Sequence, residues 1–600
     1  MSTHAARLAA LREELARRRL DGFVVPLTDE HMSEYVGAYA QRLAWLTGFE
    51  GSAGSAVVLP ADAAIFTDGR YTLQVREQVD GSHWSYQSVP QTSIAAYLKD
   101  NAPDGARIGY DPWLHTKDWV KTARAALAEK GAELVAVDTN PIDAIWPDRP
   151  APSDARLVVQ PNDVAGKSSA QKRQEMADWL AGKKADAAIL SALDSIAWTF
   201  NIRGQDVDRT PVALAYAVVN ADGTADFFAA PGKVGDDVIA HLGNAVRVHP
   251  RDAFPAHLAS LKGKRVVADP ERAVAAIFEA LEQGGAKVVE LRDPAVLPKA
   301  IKNDAEIAGH KAAQARDGAA LSRFLHWLSI EAPKSGLTEL SAAARLRAFR
   351  EETGVLRDLS FDTISGAGPN GAICHYRVDE ASNRPIEIDS LYLVDSGGQY
   401  QDGTTDVTRT VAIGTPTAEM KDRFTRVLKG HIALATARFP EGVRGTQLDG
   451  FARQYLWQVG LDYAHGTGHG VGSYLSVHEG PQRISPAGSS QSGGDEPLKA
   501  GMILSNEPGY YKAHEYGIRI ENLVLVVPID VPGAEKPVLG FETLTFAPID
   551  RTLVDLALLT ADERAWLDDY HAQVARLIGP QLDGDARAWL EAATAPMGDA

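Results

Sequence analysis

The sequence is almost without cysteine, since Cys374 is the only one in 600 residues. A disulfide within the chain is therefore excluded, which suits a reducing compartment. The chain also lacks any apolar run near the roughly 20 residues that a membrane span needs. Charged residues interrupt the leucines of the first helix pattern, which argues against a signal peptide. These absences predict a cytoplasmic protein without a membrane partner.

Basic charge is scarce as well. Lysine and arginine number 61 against 79 acidic residues, so the formal net charge is −18. Nucleic acid and anionic membranes both require a basic face, and the composition therefore disfavours them as partners. Because 600 residues exceed what one hydrophobic core accommodates, we expect two or three domains.

The first half of the chain carries a pattern that occurs twice. An apolar strand segment at 21–25 is echoed at 186–190, and each copy is followed by a helix pattern and a pair of apolar strands. A proline-bearing stretch separates the copies and is typical of a linker. We interpret the two copies as related α/β domains, 1–150 and 151–302, although two unrelated α/β segments would also look similar.

Residues 303–600 form the third region. Asn303 and Glu306 resemble a helix capping box at its start. Between residues 360 and 547 the chain is rich in glycine, histidine and carboxylates set among β-branched strand segments. This composition predicts that the chemistry lies in the third region.

Two aspartates lie on neighbouring strand patterns. An apolar strand at 391–394 ends at Asp395, and a second strand at 405–413 contains Asp406. A hairpin would bring the two carboxylates together. Aspartate is depleted in strands, so two of them in facing strands are unusual. A turn acid beside an exposed strand acid is the simpler alternative for this pair alone.

Histidines occur in a glycine-rich segment further along. Glycine alternates with other residues from His465 to Gly470, and this segment includes His469. Glycine lets the backbone approach another group closely. A single histidine is usually structural, whereas two in such a segment, with His478 nearby, indicate a site.

Two glutamates end or interrupt the last apolar strands. One strand runs directly into Glu507 and is stopped by Pro508. Arg519 and Glu521 lie on a later strand pattern, and the period of two along a strand places them on the same face of it. Charged side chains on the inward face of a core strand are costly unless they are paired or bind a ligand.

The converging side chains suggest a metal site. Four carboxylates brought together without cations would repel one another strongly, and two divalent metals relieve that repulsion. Oxygen-rich ligation with one imidazole suits Mn²⁺ or a similar hard ion. Two such ions hold a hydroxide between them at neutral pH, which predicts metal-assisted hydrolysis.

A set of ordered motifs resembles the Xaa-Pro aminopeptidases (aminopeptidase P), in their long, three-domain cytosolic form with the pita-bread metallopeptidase fold. The motifs are RLAWLTGFEGSAG, TDGRY, LDSIAWTFNIRGQDV, GPNGAICHY, LVDSGGQY, GTTDVTRT, HGTGHGVG, VHEGP, NEPGYY and GIRIEN. The resemblance implies two related, creatinase-like α/β domains, followed by an α+β pita-bread catalytic domain over 303–600. That domain would have a curved antiparallel sheet and a C-terminal helical extension.

The resemblance also assigns roles by position. Five residues match the family's metal ligands: Asp395, Asp406, His469, Glu507 and Glu521. Asp406 and Glu521 would bridge the ions, and Glu507 would also take a proton from the bridging hydroxide. Four residues match positions that contact substrate: His375, His465, His478 and Arg519. Of these, His375 and His478 would also steady the tetrahedral intermediate.

The resemblance therefore implies an enzyme that removes an N-terminal residue when proline follows it, with two divalent ions per subunit, expected to be Mn²⁺. Its partners would be peptides with proline in second position, and the family relation implies a homodimer. Two alternatives are a prolidase restricted to Xaa-Pro dipeptides and a non-catalytic pita-bread binding module. The duplicated N-terminal half argues against the first alternative, and the complete ligand set argues against the second.

Overall fold

The computed structural model describes residues 3–488 and 493–598. The chain forms two compact units. One takes in the chain up to Asn162 and Lys167–Val296, and the other takes in Asp163–Gly166 and the chain from Leu297 onward. None of the helices in the described part of the chain is long and apolar enough to cross a membrane.

The first unit contains two six-stranded sheets. The first sheet is built from β1 Gly22–Pro26, β2 Ser55–Val58, β3 Ala63–Thr67, β4 Ser85–Ser88, β5 Arg107–Tyr110 and β6 Glu133–Ala136. The strands that follow are β7 Val158–Val159, β8 Ala187–Leu190, β9 Ile202–Arg203, β10 Ala215–Asn220, β11 Ala225–Ala229, β12 Val246–Pro250, β13 Arg265–Ala268 and β14 Lys287–Glu290. β7 and β9 form a separate pair, and the other six form the second sheet.

The two sheets have the same strand arrangement. Their orders are β4-β3-β2-β1-β5-β6 and β12-β11-β10-β8-β13-β14. In each sheet the strand that comes first along the chain, β1 or β8, pairs antiparallel with one neighbour and parallel with the other. The central strands of both sheets are buried on both faces, and separate buried clusters lie on the two sides of each sheet. The repeated sequence pattern therefore corresponds to a repeated topology.

Helices connect the strands and cover the sheets of both units. They are α1 His4–Arg17, α2 Arg42–Thr47, α3 Gln74–Gln78, α4 Ile94–Asn101, α5 Lys117–Ala128, α6 Pro141–Ile145, α7 Asn162–Ala165, α8 Ser169–Lys183, α9 Leu193–Phe200, α10 Asp236–Leu242, α11 Phe254–Ala259, α12 Ala275–Gln283, α13 Val296–Ala300, α14 Asp304–Glu331, α15 Glu339–Glu351, α16 Ala418–Ala435, α17 Gly445–Trp457, α18 Ala561–Ile578 and α19 Gly584–Ala593. The capping box predicted at Asn303 and Glu306 begins α14.

The second unit contains fourteen described strands. They are β15 Leu356–Leu359, β16 Ile364–Ala367, β17 Ser390–Ser396, β18 Gly398–Tyr400, β19 Gly403–Thr404, β20 Val407–Ile413, β21 Phe439–Pro440, β22 Gly468–Gly470, β23 Glu479–Ile484, β24 Ile503–Asn506, β25 Gly509–Lys512, β26 Tyr516–Arg519, β27 Asn522–Ile529 and β28 Val538–Thr543. They pair antiparallel throughout these ranges. The largest sheet has the order β21-β28-β27-β24-β22-β23.

Two strand predictions differ from the structure in detail. The strand predicted to contain Asp406 begins at Val407, because residues 397–406 leave the β17–β20 ladder to form β18 and β19. The strand predicted to carry both Arg519 and Glu521 breaks between β26 and β27, which pair with different strands. In both cases a carboxylate lies between two strands that pair with different neighbours, so its side chain is not restricted to one face of a sheet.

Candidate metal centre

The first two aspartates meet where β17 and β20 run side by side. Asp395 lies opposite Thr408 in the ladder, and Asp406 directly precedes β20. Both aspartates are buried, with 7% and 4% of the residue surface exposed. The excursion through β18 and β19 fits tightly, since a Cβ at Gly397 would lie 1.9 Å from the Thr405 carbonyl oxygen. The pairing predicted from the sequence therefore forms, with a longer connection than a simple hairpin.

A serine hydroxyl and a backbone carbonyl group hold His469 in place. The backbone N–H of His469 donates to Ser505 Oγ at 2.9 Å, and the ring Nδ1 lies 2.9 Å from the Gly470 carbonyl oxygen. That contact turns Nε2 toward the acids, 3.5 Å from Asp406 Oδ2 and 3.4 Å from Glu507 Oε1. The close approach of β22 to β24 requires glycine at 468, where a Cβ would lie 2.0 Å from the Ser505 carbonyl oxygen.

A hydrogen-bond network orients the remaining acids. Thr408 Oγ1 donates to Glu521 Oε2 at 2.7 Å and accepts from Arg519 Nε at 3.1 Å. The Arg519 guanidinium also donates from Nη2 to Asp395 Oδ2 at 2.6 Å. Arg519 and Glu521 are almost fully buried. The break in the strand therefore still delivers both side chains to the same site.

The carboxyl groups of the centre are buried with little compensating positive charge. Burial, and then the nearby Asp395, raise the pKa of Asp406 well above its usual range. Burial, then Asp406 and Asp395, raise the pKa of Glu521 in the same way. Burial also raises the pKa of Glu507 to about 7, although His469 and Arg519 act in the opposite direction. Acids in this condition need further positive charge nearby to remain ionised at neutral pH.

The donor set fits divalent cations. Asp406, His469 and Glu521 each offer one ligand atom, and these atoms lie within 4.8 Å of one another. Asp395 Oδ1 is buried and accepts no hydrogen bond from the described residues, which leaves it available as a ligand. Carboxylate oxygens with one imidazole are the ligands of hard or borderline divalent ions.

The other histidines singled out from the sequence lie around this centre. The His478 ring lies 4.3 Å from that of His469, and the His375 ring lies 6.3 Å from that of His478. His465 Nε2 lies 2.8 Å from the Tyr511 hydroxyl, and Arg519 Nη1 donates to the same hydroxyl at 2.6 Å. Contacts or strand pairings thus link all nine residues selected from the sequence within the second unit.

Several residues that support the centre are not indicated by any of the sequence patterns above. Thr408, Ser505 and Tyr511 bond directly to the acids or to their partners. The period of two along the predicted strand at 405–413 was a usable signal for Thr408, since it lies two residues after Asp406. The buried Glu479, next to His478, lies 2.8 Å from Lys299 Nζ and 2.5 Å from Lys302 Nζ. No local sequence signal links those lysines to a residue so far along the chain.

Four family models together match most of the chain. The family model described as metallopeptidase family M24 matches residues 308–528. A second family model, described as the C-terminal region of peptidase M24, matches residues 537–597. Two models described as creatinase/prolidase N-terminal domains match 7–145 and 148–306. A probable Xaa-Pro aminopeptidase P from Laccaria bicolor is 42% identical over 98% of this chain and 93% of its own length. The chain belongs to the Xaa-Pro aminopeptidase P family.

Two further relatives span nearly the whole chain. Aminopeptidase P2 of Arabidopsis thaliana is 41% identical over 96% of this chain and 86% of its own length. The crystal structure of an X-prolyl aminopeptidase from Caenorhabditis elegans, described as a cytosolic enzyme with a di-nuclear active site, has a TM-score of 0.94. It is 35% identical, and the match covers 100% of both chains. These matches confirm the resemblance and the fold class, with duplicated α/β N-terminal domains before an α+β pita-bread domain.

Proposed function

We propose that the chain is a metal-dependent aminopeptidase that hydrolyses the N-terminal Xaa-Pro bond of peptides. The observation that carries the proposal is the buried group of Asp406, His469 and Glu521, in a member of the Xaa-Pro aminopeptidase P family. An Xaa-Pro bond has no N–H, so peptidase clefts that need that donor reject it. A cleft shaped for the proline ring would therefore have a substrate class of its own.

Two divalent cations are proposed for the centre, with Mn²⁺ as the expected ion. The proposed ligands are Asp395, Asp406, His469, Glu507 and Glu521, and the di-nuclear description of the Caenorhabditis elegans enzyme supports the number. Asp406 and Glu521 would help to hold both ions. When bound, such a pair supplies a reactive water at neutral pH and polarises the scissile carbonyl.

The side chains around the centre have proposed roles of their own. Glu507 takes a proton from the attacking water, and its contact with His469 keeps it beside the centre. His375 and His478 donate to the substrate carbonyl oxygen as negative charge develops on it. His465 and Arg519, which share the Tyr511 hydroxyl, form one wall of the proline pocket.

Chelator treatment followed by Mn²⁺ restoration tests the proposal. A peptide that begins Arg-Pro-Pro is offered beside an alanine-substituted control and an Xaa-Pro dipeptide, and mass spectrometry identifies the bonds broken. Mn²⁺-dependent loss of only the first residue from the proline peptide is the expected result. Cleavage of the dipeptide alone would identify a prolidase instead. No cleavage with metal bound would favour a non-catalytic binding module.

We also propose the domain limits, the cellular location and the oligomeric state of the protein. Domain limits at 1–150, 151–302 and 303–600 are supported by the bounds of the family matches and are checked by limited proteolysis. A cytoplasmic location is supported by the single cysteine and the cytosolic relative, and is checked by cell fractionation. A homodimer is supported by exposed apolar residues on and after α17.

A further inference from the structure

A buried cluster of three charged side chains lies beside the candidate metal centre, and none of its members has a proposed role in the hydrolysis. Glu479 directly follows His478 and is fully buried. Its Oε2 lies 2.8 Å from Lys299 Nζ, and its Oε1 accepts from Lys302 Nζ at 2.5 Å. The side chains of both lysines are at most 2% exposed. The cluster therefore has little contact with water, and all of it belongs to the second unit.

Stability alone does not account for this cluster. Taking charged groups out of water is costly, and apolar residues in place of a buried ion pair are often neutral or stabilising. Lys302 Nζ also donates to the Lys299 carbonyl oxygen at 2.9 Å, which ties the two lysines together. Such contacts fix one geometry, because another position would leave a buried charge unpaired. The carboxylate of Glu479 is therefore held in one place.

The backbone of Glu479 lies where the ladder between β22 and β23 is irregular. His469 pairs with Arg483, whereas the next residue, Gly470, pairs with Glu479. Because the register jumps there, the ladder fixes the start of β23 less firmly than a regular pairing would. The fit is close, since a Cβ at Gly470 would lie 2.5 Å from the Glu479 carbonyl oxygen and one at Gly472 would lie 3.1 Å from Glu479 Oε2. The anchored side chain thus supplies a restraint that the ladder lacks.

His478 lies between two points at which its loop is held. The loop connects β22 to β23, and His478 is its last residue. Earlier in the loop, the Leu475 carbonyl oxygen accepts from Gln399 Nε2 at 2.8 Å. Glu479 holds the other side, and the His478 ring lies 4.3 Å from that of His469. A shift of Glu479 would therefore move His478 relative to the metal ligands.

We propose that Glu479 is a positioning residue for the hydrolysis of the Xaa-Pro bond. Clamped by Lys299 and Lys302, it holds the backbone at His478 so that the imidazole meets the carbonyl oxygen of the substrate. The inference rests on the proposed function, since His478 has that role only in a peptidase. A misplacement of about 1 Å can reduce a rate about a hundredfold, so an anchor outside the reacting groups has a measurable effect.

Glu479→Asp tests the proposal in the full-length, Mn²⁺-loaded protein. Aspartate keeps the charge that neutralises the lysines, so the chain should fold, but its side chain is one methylene group shorter and displaces the backbone. We expect kcat for the peptide that begins Arg-Pro-Pro to fall about tenfold or more and KM to change less than about twofold, because the contact of His478 strengthens in the transition state. Metal bound per chain should match that of the parent, since no proposed ligand is altered.

A second substitution separates positioning from general damage to the fold. In a His478→Ala background, Glu479→Asp should have no further effect on kcat, because the side chain that it positions is gone. Equal losses in both backgrounds would overturn the proposal. Asp206→Asn is the matched control, since it breaks another buried lysine pair, with Lys233 at 2.6 Å in the first unit, and it should leave kcat as in the parent.

Lys302→Met loosens the clamp from its other side. It leaves one lysine paired with the carboxylate, so the chain should fold even if Glu479→Asp does not. We expect kcat to fall with KM unchanged, and again no further loss in the His478→Ala background. A Lys302→Met protein with the kcat of the parent would overturn the role of the clamp.

Crystal structures of the parent and of Glu479→Asp give a readout that needs no cleavage. The His478 ring should move relative to His469 in the variant. An unmoved ring would overturn the proposal even if kcat fell, and it would leave the proposed function as it stands. If the parent cleaved no Xaa-Pro bond, the proposed function would fail, and the ring shift would still report whether Glu479 positions His478.

Discussion

At the residue scale, the candidate metal centre is a balance of buried charges. Asp395, Asp406, Glu507 and Glu521 converge with His469, and Arg519 bonds directly to only one of the four acids. Buried carboxylates in this arrangement either hold protons or hold cations. The observed donor set favours cations, since oxygen ligands dominate and one imidazole points inward.

Replacing one proposed bridging ligand tests this directly. Glu521→Gln keeps the size of the side chain and its acceptor for Thr408, and removes one ligand charge. We expect metal bound per chain to fall and kcat/KM to drop by about a thousandfold or more, a loss of about 4 kcal/mol. Elemental analysis and peptide cleavage measure the two effects.

The matched control for this change is Glu515→Gln, an exposed glutamate in the turn between β25 and β26. It should retain both metal and activity. A Glu521→Gln protein with full metal content and full activity would remove Glu521 from the ligand set.

A buried histidine in the first unit predicts acid sensitivity. His115 is 3% exposed, and burial lowers its pKa to about 3. The unfolded state therefore binds a proton below pH 6.5 that the folded state does not, so stability falls as pH falls from 6.5 toward 3. At pH 5 the cost is about 2 kcal/mol relative to neutral pH.

His115→Phe should abolish this component of the pH dependence, because phenylalanine keeps the contacts with Tyr110 and Trp119 and takes up no proton. Hydrogen exchange of peptides from β5 to β6 at pH 7 and pH 5, corrected for intrinsic rates, reports the local unfolding free energy. His83→Phe, at an exposed position, is the control and should leave the dependence as it is. An identical pH dependence in His115→Phe would contradict the prediction.

At the element scale, the centre depends on how closely β22 approaches β24. Gly468→Ala would place a Cβ 2.0 Å from the Ser505 carbonyl oxygen, and backbone cannot move aside as a flexible side chain does. We expect a loss of about 1–3 kcal/mol in unfolding free energy and weaker metal binding, because His469 would shift with the strand. Thermal unfolding and metal titration measure both.

Gly182→Ala is the matched control for that substitution. Its Cβ meets nothing within 4 Å, and the residue lies inside α8. Alanine there should stabilise the protein by about 0.5–1 kcal/mol, since it lowers the entropy lost on folding. If Gly468→Ala were as stable as the parent, the two strands would have to be able to separate.

At the scale of the whole molecule, the proposed homodimer has one testable surface. Phe451, Trp457 and Val459 are 41%, 51% and 39% exposed, and the first two lie on α17. A second copy would remove this apolar surface from water. Light scattering of the parent protein should give a molecular mass of twice the 64.4 kDa of one chain. Trp457→Arg should shift it toward the monomer.

The control for this prediction is Ile239→Arg, another exposed apolar residue, which lies on α10 of the first unit. It should leave the molecular mass unchanged. If Trp457→Arg remained dimeric, the contact would have to lie elsewhere, and a parent protein that is a monomer would remove the homodimer proposal.

The α/β character of the first half and its duplication could be predicted from the order of residues alone. Strand segments and turns recur there in the same order, and the two copies form the same sheet order. The chemical types of the site could be predicted in the same way, because aspartate, glutamate and histidine at the ends of apolar strands are costly to bury unless they are paired or bind a ligand. The breaks at Asp406 and Glu521 could not be predicted, since they depend on which neighbouring strand each segment pairs with.

The side chains that orient the acids depend on how distant parts of the chain fold together. Contacts between residues far apart in sequence leave no periodic signal. They include the hydrogen bonds of Thr408 and Tyr511 and the ion pairs of two lysines with Glu479. In the first unit, Arg42 and Arg149 likewise share Asp143 only because segments far apart in sequence fold together.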